Sequence, residues 1–300
     1  MANLNVQIPS LKLNDGTSIP LIGYGTGTAW YKSDSGSGID RKLVDATKTA
    51  LKLGYYHLDA AEVYNTEAEV GIAIKESKVP REKLFVTTKV ITNIQDVPNA
   101  IDKSLEKLQL DYVDLYLVHS PFFASSDADL QTTWAAMEKV KADGKAKSIG
   151  VSNYLVPHLE ATMKTASVIP SINQIEYHPY LQHGGPDGPL LSYMKKHKIA
   201  NSAYAPLTAV TKAKPGPLDE LYADLAKKYY VSEGEIALRW CIDQNVVAIT
   251  TSGKEERLSD YLRATTFTMT PKEISEISRV GDQKHFRGFW QAKFDKKDRS

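Results

Sequence analysis

Four residues in the first half of the chain have side chains that could act together on a substrate: Asp59, Tyr64, Lys89 and His119. A short run, Tyr55 to Leu58, reads as a buried strand that ends on the carboxylate of Asp59, and the phenol of Tyr64 follows five residues later. Phe85-Val-Thr-Thr runs into Lys89, and Leu115-Tyr-Leu-Val runs into His119. Singly, each has an ordinary explanation: Asp59 caps a helix, Tyr64 packs at the surface, Lys89 is solvated, His119 sits in the core. As a set they do more. A phenol titrates near ~10 and is a weak acid at neutral pH. A neighbouring ammonium stabilises its phenolate and lowers that value, and a carboxylate holds the ammonium charged and in place. A neutral imidazole beside them donates a hydrogen bond to a substrate oxygen. The combination delivers a proton to a carbonyl oxygen as negative charge builds there. None of the four groups is redox active, so the electrons must come from a hydride-carrying cofactor.

The elements that hold these residues alternate in type. Ser10 to Pro20 reads as a β-hairpin turning on Asn14-Asp15-Gly16. Strand-like runs follow at Leu21–Gly25, Tyr55–Leu58, Leu84–Thr88, Val113–Val118, Ala146–Val151, Ser171–Ile175, Ala200–Tyr204 and Val246–Thr250. Between and after them, helical spacing covers Asp40–Leu53, Glu67–Ser77, Pro98–Leu108, Leu130–Ala142, Leu155–Thr165, Pro189–His197, Ser232–Asp243 and Lys254–Leu262. Eight βα units with no break in composition predict a (β/α)8 TIM barrel, a single domain over residues 1–300. An open doubly wound sheet ranks second, because Gly23-Tyr24-Gly25-Thr26-Gly27 lacks the glycine spacing of its first turn. Three stretches, Ser120–Asp129, Leu207–Pro217 and Gln283–Ser300, read as long catalytic-face loops or tail.

Seven strand ends in a row place polar or aromatic residues on one rim. Besides Asp59, Lys89 and His119, these are Ser152-Asn153, Asn173-Gln174, Tyr204 and Thr251-Ser252. In a barrel of this kind the rim at the strand C-termini is the catalytic face.

Composition excludes several other classes. Hydrophobic content is 42% and charged content 24%, ordinary for a globular chain. A net charge of +1 gives no sign of nucleic-acid or membrane-surface binding. No apolar run approaches the ~20 residues of a membrane span, and the N-terminus lacks the pattern of a signal peptide. The single cysteine, Cys241, reads as a buried small hydrophobe. A cytoplasmic location is expected. His178 and His183 lack helical ligand spacing, so no metal is expected.

Three motifs resemble the signatures of the aldo-keto reductase family, in the same order: Gly54-Tyr-Tyr-His-Leu-Asp-Ala-Ala-Glu-Val-Tyr, Gly150-Val-Ser-Asn and Asn173-Gln-Ile-Glu-Tyr-His-Pro. The likeness runs from Leu21 to about Leu262, and Gly25-Thr-Gly-Thr-Ala-Trp-Tyr-Lys is similar to the fungal branch that reduces conjugated polyketones and α-keto amides. The resemblance implies that Tyr64 is the general acid, tuned by Lys89 and Asp59, with His119 orienting the carbonyl. It implies NADPH or, less often, NADH, and no metal. The nicotinamide would stack on Tyr204, its carboxamide held by Ser152, Asn153 and Gln174. Gly25 and Thr26 would lie beside the cofactor, and Ala205, Leu207, Ser252, Lys254 and Arg257 complete the expected contacts.

One departure concerns the phosphate. The family commonly has Pro-Lys-Ser after the last strand with an arginine six residues beyond the lysine; this chain has Thr250-Thr251-Ser252 and Arg257. Lys254 or Arg257, at the start of a helix, would supply the missing charge.

Rival readings are a nucleotide-sensing barrel with little turnover and a barrel hydrolase pairing Asp59 with Glu62. A short-chain dehydrogenase would need Tyr-x-x-x-Lys, which is absent. The expected partner is a small-molecule carbonyl, with the protein a monomer or weak dimer. The expected substrate wall is Trp30, Phe122 and Phe123 with a tail aromatic, Phe286, Phe289 or Trp290. Such a flat apolar slot suits α-dicarbonyls, α-keto esters, amides and lactones better than sugars.

Overall fold

The computed structural model describes residues 8–34, 36, 38–185 and 187–300. Strands β1 (Ser10–Lys12) and β2 (Ser18–Pro20) form the N-terminal antiparallel hairpin. Eight further strands follow: β3 (Ile22–Gly25), β4 (His57–Asp59), β5 (Phe85–Val90), β6 (Val113–Val118), β7 (Ala146–Ser152), β8 (Ile172–Glu176), β9 (Ala200–Tyr204) and β10 (Val247–Thr250). Each pairs in parallel with the next, and β10 pairs back onto β3 to close the barrel. The hairpin lies at the N-terminal ends of the strands: Asn14 donates to the Pro170 carbonyl at 3.0 Å and Ser148 bonds Thr17 at 3.0 Å. Opposite it, the strand C-termini form an open rim.

The helices are α1 (Arg41–Leu53), α2 (Glu67–Ser77), α3 (Val97–Leu108), α4 (Asp127–Ala142), α5 (Val156–Met163), α6 (Pro189–Lys196), α7 (Thr208–Thr211), α8 (Asp219–Tyr229), α9 (Glu233–Ile242), α10 (Glu255–Leu262) and α11 (Pro271–Gly281). Their ends follow local chemistry. Asp40 caps α1 by accepting from the Lys42 N–H, and Gly54 ends it at φ 101°, where a side chain would be strained. Ser232 with Glu235, and Thr270 with Glu273, form reciprocal capping boxes on α9 and α11. Trp134 and Trp240 are fully buried among the apolar side chains between barrel and helices. Truncating a tryptophan so placed costs ~3–5 kcal/mol.

Several boundaries differ from the sequence reading. Asp40, Ser232 and Lys254 are caps rather than first helical residues. Helix α4 starts at Asp127, inside the stretch read as a loop, because Ser126 and Asp129 cap it. Helix α7 interrupts the expected Leu207–Pro217 loop. Helices α8 and α11 were not anticipated: both fall outside the one-strand, one-helix alternation, α8 as an extra helix between β9 and α9 and α11 after the last unit. Strands β4 and β5 run on to include Asp59 and Lys89, which fixes both side chains on the sheet rather than in a loop.

Candidate active site

Barrel register brings the first two charges together. Asp59 on β4 lies beside Thr87 on β5, and Lys89 is two residues beyond Thr87 on the same face. Lys89 Nζ reaches Asp59 Oδ1 at 2.5 Å and the Ala60 carbonyl at 2.8 Å. The lysine is fully enclosed and Asp59 is 3% exposed. A buried pair of this kind is costly to break, because the surviving charge has no solvent, at ~3–5 kcal/mol. Gln174 on β8 occupies the other carboxylate oxygen, donating from Nε2 to Asp59 Oδ2 at 2.8 Å.

Tyr64 lies in the turn after β4. Its ring centroid is 5.2 Å from Lys89 Nζ, and its hydroxyl is 3.4 Å from His119 Nε2. A Cβ on Gly27 would come within 2.9 Å of that ring, so the phenol is seated against a backbone with no side chain. Asp59, Tyr64, Lys89 and His119 are thus gathered at one point of the rim.

Burial sets the protonation states. It pushes the Tyr64 phenol above its ordinary value, and the Lys89 ammonium draws it only part of the way back. The lowering expected from the sequence is therefore outweighed, since desolvation of a phenolate exceeds the help of one ammonium already paired to Asp59. The result is a fully protonated acid at neutral pH. Burial also opposes charge on Lys89, but the Asp59 carboxylate more than offsets it and leaves the ammonium above its usual value. Burial, then Lys89, holds His119 well below the usual imidazole range. His119 is neutral, and one of its nitrogens carries a hydrogen to donate.

The tetrad opens into a cavity of about 530 Å³. Gly25, Asn153, Gln174, Tyr204 and Ala205 line it, as do Thr250 and Thr251. Tyr204 is fixed by donating to Asn153 Oδ1 at 2.7 Å, while Asn153 Nδ2 donates to the His119 carbonyl at 2.9 Å. Ser152 Oγ donates to the Gln174 carbonyl at 2.7 Å. The hydroxyl oxygens of Thr250 and Thr251 are enclosed without a partner. An aromatic platform, two amide side chains and two orphaned hydroxyls suit a nicotinamide riboside. Beyond Thr251, Lys254 occupies the cap position of α10 and Arg257 lies exposed in its first turn. Among the described residues neither has a carboxylate within ion-pair range, so both are available to an anionic phosphate.

Other candidates fall off the cavity wall. Thr26 is buried behind it, bonding the Asp59 carbonyl at 3.2 Å. Leu207 caps α7, and Ser252 Oγ accepts from the Lys254 N–H at 3.0 Å. Of the expected substrate wall, only the tail residues line the cavity, Trp290 together with Phe289. Trp30 turns the other way, its ring edge 3.3 Å from where a Gly253 Cβ would stand. Phe122 backs Trp290 at 5.1 Å between centroids, and Phe123 lines a separate hollow beside Ile94 and Thr133. Phe286 packs on the core near His178. The mouth of the cavity also takes in Tyr31, which the sequence reading missed and which stays 53% exposed beside Trp30. Glu62, considered for a carboxylate pair, instead accepts from the Ile91 and Asn93 N–H groups at 2.5 and 3.0 Å.

A closed parallel barrel with a neutral histidine, a protonated tyrosine and a buried lysine–aspartate pair at its C-terminal rim defines a reductase of carbonyl groups. The Aldo/keto reductase family model matches residues 22–282. The chain is 41% identical to the NAD/NADP-dependent indole-3-acetaldehyde reductase of Schizosaccharomyces pombe, covering 91% of this chain and 96% of that one. It is 38% identical to the NADPH-dependent alpha-keto amide reductase of Saccharomyces cerevisiae, covering 95% of each. The crystal structure of a Bombyx mori aldo-keto reductase in complex with NADP is similar with a TM-score of 0.81 and 34% identity, over 92% of this chain and 93% of that one. The chain belongs to the aldo/keto reductase family and is an NAD(P)H-dependent oxidoreductase.

Proposed function

We propose that the chain reduces activated carbonyls with NADPH, favouring α-dicarbonyls and α-keto esters, amides and lactones over sugars. The observation that carries this reading is the distribution of polarity in the cavity. Its polar groups cluster at the tetrad, the Tyr204–Asn153 platform and the threonines Thr28, Thr250 and Thr251, while Tyr31, Val63, Ile91, Phe289 and Trp290 give the wall around the tetrad an aromatic and aliphatic face. A sugar would leave most of its hydroxyls unmatched there. A flat conjugated substrate loses nothing against aromatic rings, and its electron-withdrawing neighbour activates the carbonyl.

The bound cofactor supplies a hydride to the carbonyl carbon. The chain does the rest. His119 donates to the carbonyl oxygen and fixes its direction. Tyr64, held protonated by burial, transfers its proton to that oxygen as charge develops. Lys89, kept charged by Asp59, stabilises the phenolate left behind. Asn153 and Gln174 would hold a carboxamide beside Tyr204, and Lys254 and Arg257 would grip a 2′-phosphate. The name of the α-keto amide reductase relative agrees with this substrate class.

The test is a panel of carbonyls assayed with NADPH and NADH in parallel. Isatin or a keto-lactone is expected to exceed xylose in kcat/KM by at least ~10², equivalent to ~2.7 kcal/mol of transition-state discrimination. Equal values for glucose or xylose would overturn the substrate reading and leave the tetrad standing.

A further inference from the structure

A second buried carboxylate stands at the same rim. Glu176 is the last residue of β8, two beyond Gln174, and is 2% exposed. An enclosed carboxylate is unfavourable unless its lone pairs are matched. Among the described residues no lysine or arginine lies within ion-pair range of it; its one such neighbour is His178, with Nε2 at 3.2 Å from Oε1. The other partners are two consecutive backbone N–H groups of the C-terminal segment. Gly288 donates to Oε1 at 2.7 Å and Phe289 donates to Oε2 at 3.0 Å. Position 288 is fitted to this contact: a Cβ there would stand 3.1 Å from Oε1 and 3.4 Å from the Phe286 ring.

The grip is placed where it matters for the cavity. Phe289 and the next residue, Trp290, form its outer wall. On the barrel side Glu176 pairs in register with Tyr204, and the Phe289 ring meets the Tyr204 ring edge-on at 5.3 Å. His183 Nε2 donates to the Glu176 carbonyl at 2.8 Å and steadies the strand end. One side chain therefore joins the Tyr204 platform to the segment that closes the pocket. We propose that Glu176 is a positioning residue that latches the C-terminal segment over the active site and so sets which carbonyls are accepted. This rests on the reading of the cavity as the carbonyl site.

The chemistry requires a carboxylate, because both oxygens must accept. In Glu176→Gln the volume is kept, but the amide nitrogen meets a backbone N–H and one donor is left unmatched. Gly288→Ala disturbs the same contact from the tail side without touching a barrel strand, and it carries the test should the first variant fail to fold. Two readouts are compared with wild type. Trypsin cleavage in the segment around Arg287 and Lys293 is expected to accelerate about ten-fold in either variant, the scale of one lost hydrogen bond to a charged group. KM for a bulky aromatic carbonyl such as isatin is expected to rise about ten-fold, with kcat and NADPH affinity little changed and methylglyoxal unaffected. Unchanged proteolysis and unchanged selectivity overturn the proposal. So does a uniform loss on both carbonyls with a lowered Tm, which marks a merely structural role. If wild type reduces neither carbonyl, the proposed function fails, and the trypsin comparison still decides whether Glu176 holds the segment.

Discussion

The Tyr64 hydroxyl lies 3.4 Å from His119 Nε2, with the Lys89 ammonium on its other side. That is long for a hydrogen bond between them, and both side chains line the cavity, so one oxygen entering it can meet both. Replacing His119 removes one of two donors at the point where charge develops, a loss worth ~10²–10³ in rate. His119→Asn is expected to lower kcat/KM by about that factor, with cofactor affinity held within a few-fold. Steady-state kinetics and a fluorescence titration of NADPH check both halves.

Stability is expected to fall in mild acid, and the sign follows from the buried histidines. Burial holds His57 and His183 each at about 4, and His119 well below its ordinary value of 6.5. The unfolded chain takes up these protons first, so stability is full above pH 6.5 and is lost as pH falls from there toward 4. Each such histidine contributes ~1.4 kcal/mol per pH unit inside that window. Calorimetric Tm should be level between pH 8 and 7 and drop steadily below 6.5; a Tm unchanged at pH 5 would show that these rings protonate in the fold.

Cofactor choice is expected to depend on two exposed cations. Thr251 stands where the family commonly carries lysine, leaving Arg257 and Lys254 to meet the 2′-phosphate. Losing a charge-assisted contact costs ~1.5–3 kcal/mol. Arg257→Ala should therefore raise the KM for NADPH about ten-fold more than that for NADH, with Lys254→Ala acting in the same direction. Equal effects on the two cofactors would mean the phosphate is held elsewhere.

The pocket wall yields a contrast between neighbours in sequence. Phe289→Ala or Trp290→Ala should shrink the preference for isatin over xylose, mainly by slowing isatin. Trp30→Ala should leave that ratio near wild type, since its ring lies against Gly253 rather than the cavity. A collapse of the ratio on changing Trp30 alone would place the substrate on the other side of the first loop.

The barrel was legible because period-2 and period-3.6 apolar spacing alternate without interruption, and the tetrad because three polar residues fall at strand ends that must share a rim, with Tyr64 in the turn after the first of them. Helices α8 and α11 were missed because they lie outside the strand–helix alternation that the reading followed. The aromatic wall was legible only in part. Trp30, Tyr31, Phe122 and Phe123 lie on irregular segments where spacing says nothing of direction, and backbone path alone sets Tyr31 at the cavity mouth and Trp30 against Gly253. Glu176 was read as part of a motif, but its role depends on a tail more than a hundred residues away, a relation no local pattern carries.

The most direct measurement is carbonyl reduction by Tyr64→Phe alongside its NADPH dissociation constant. The substitution removes only the hydroxyl that is held protonated 3.4 Å from His119. The expected result is loss of turnover by ~10³ or more, the scale of a missing general acid, with NADPH binding within a few-fold of wild type. Lys89→Met should be about as severe, and the double variant no worse, because the groups act as a unit. Near-normal turnover by Tyr64→Phe would contradict the assignment of Tyr64 as the proton donor.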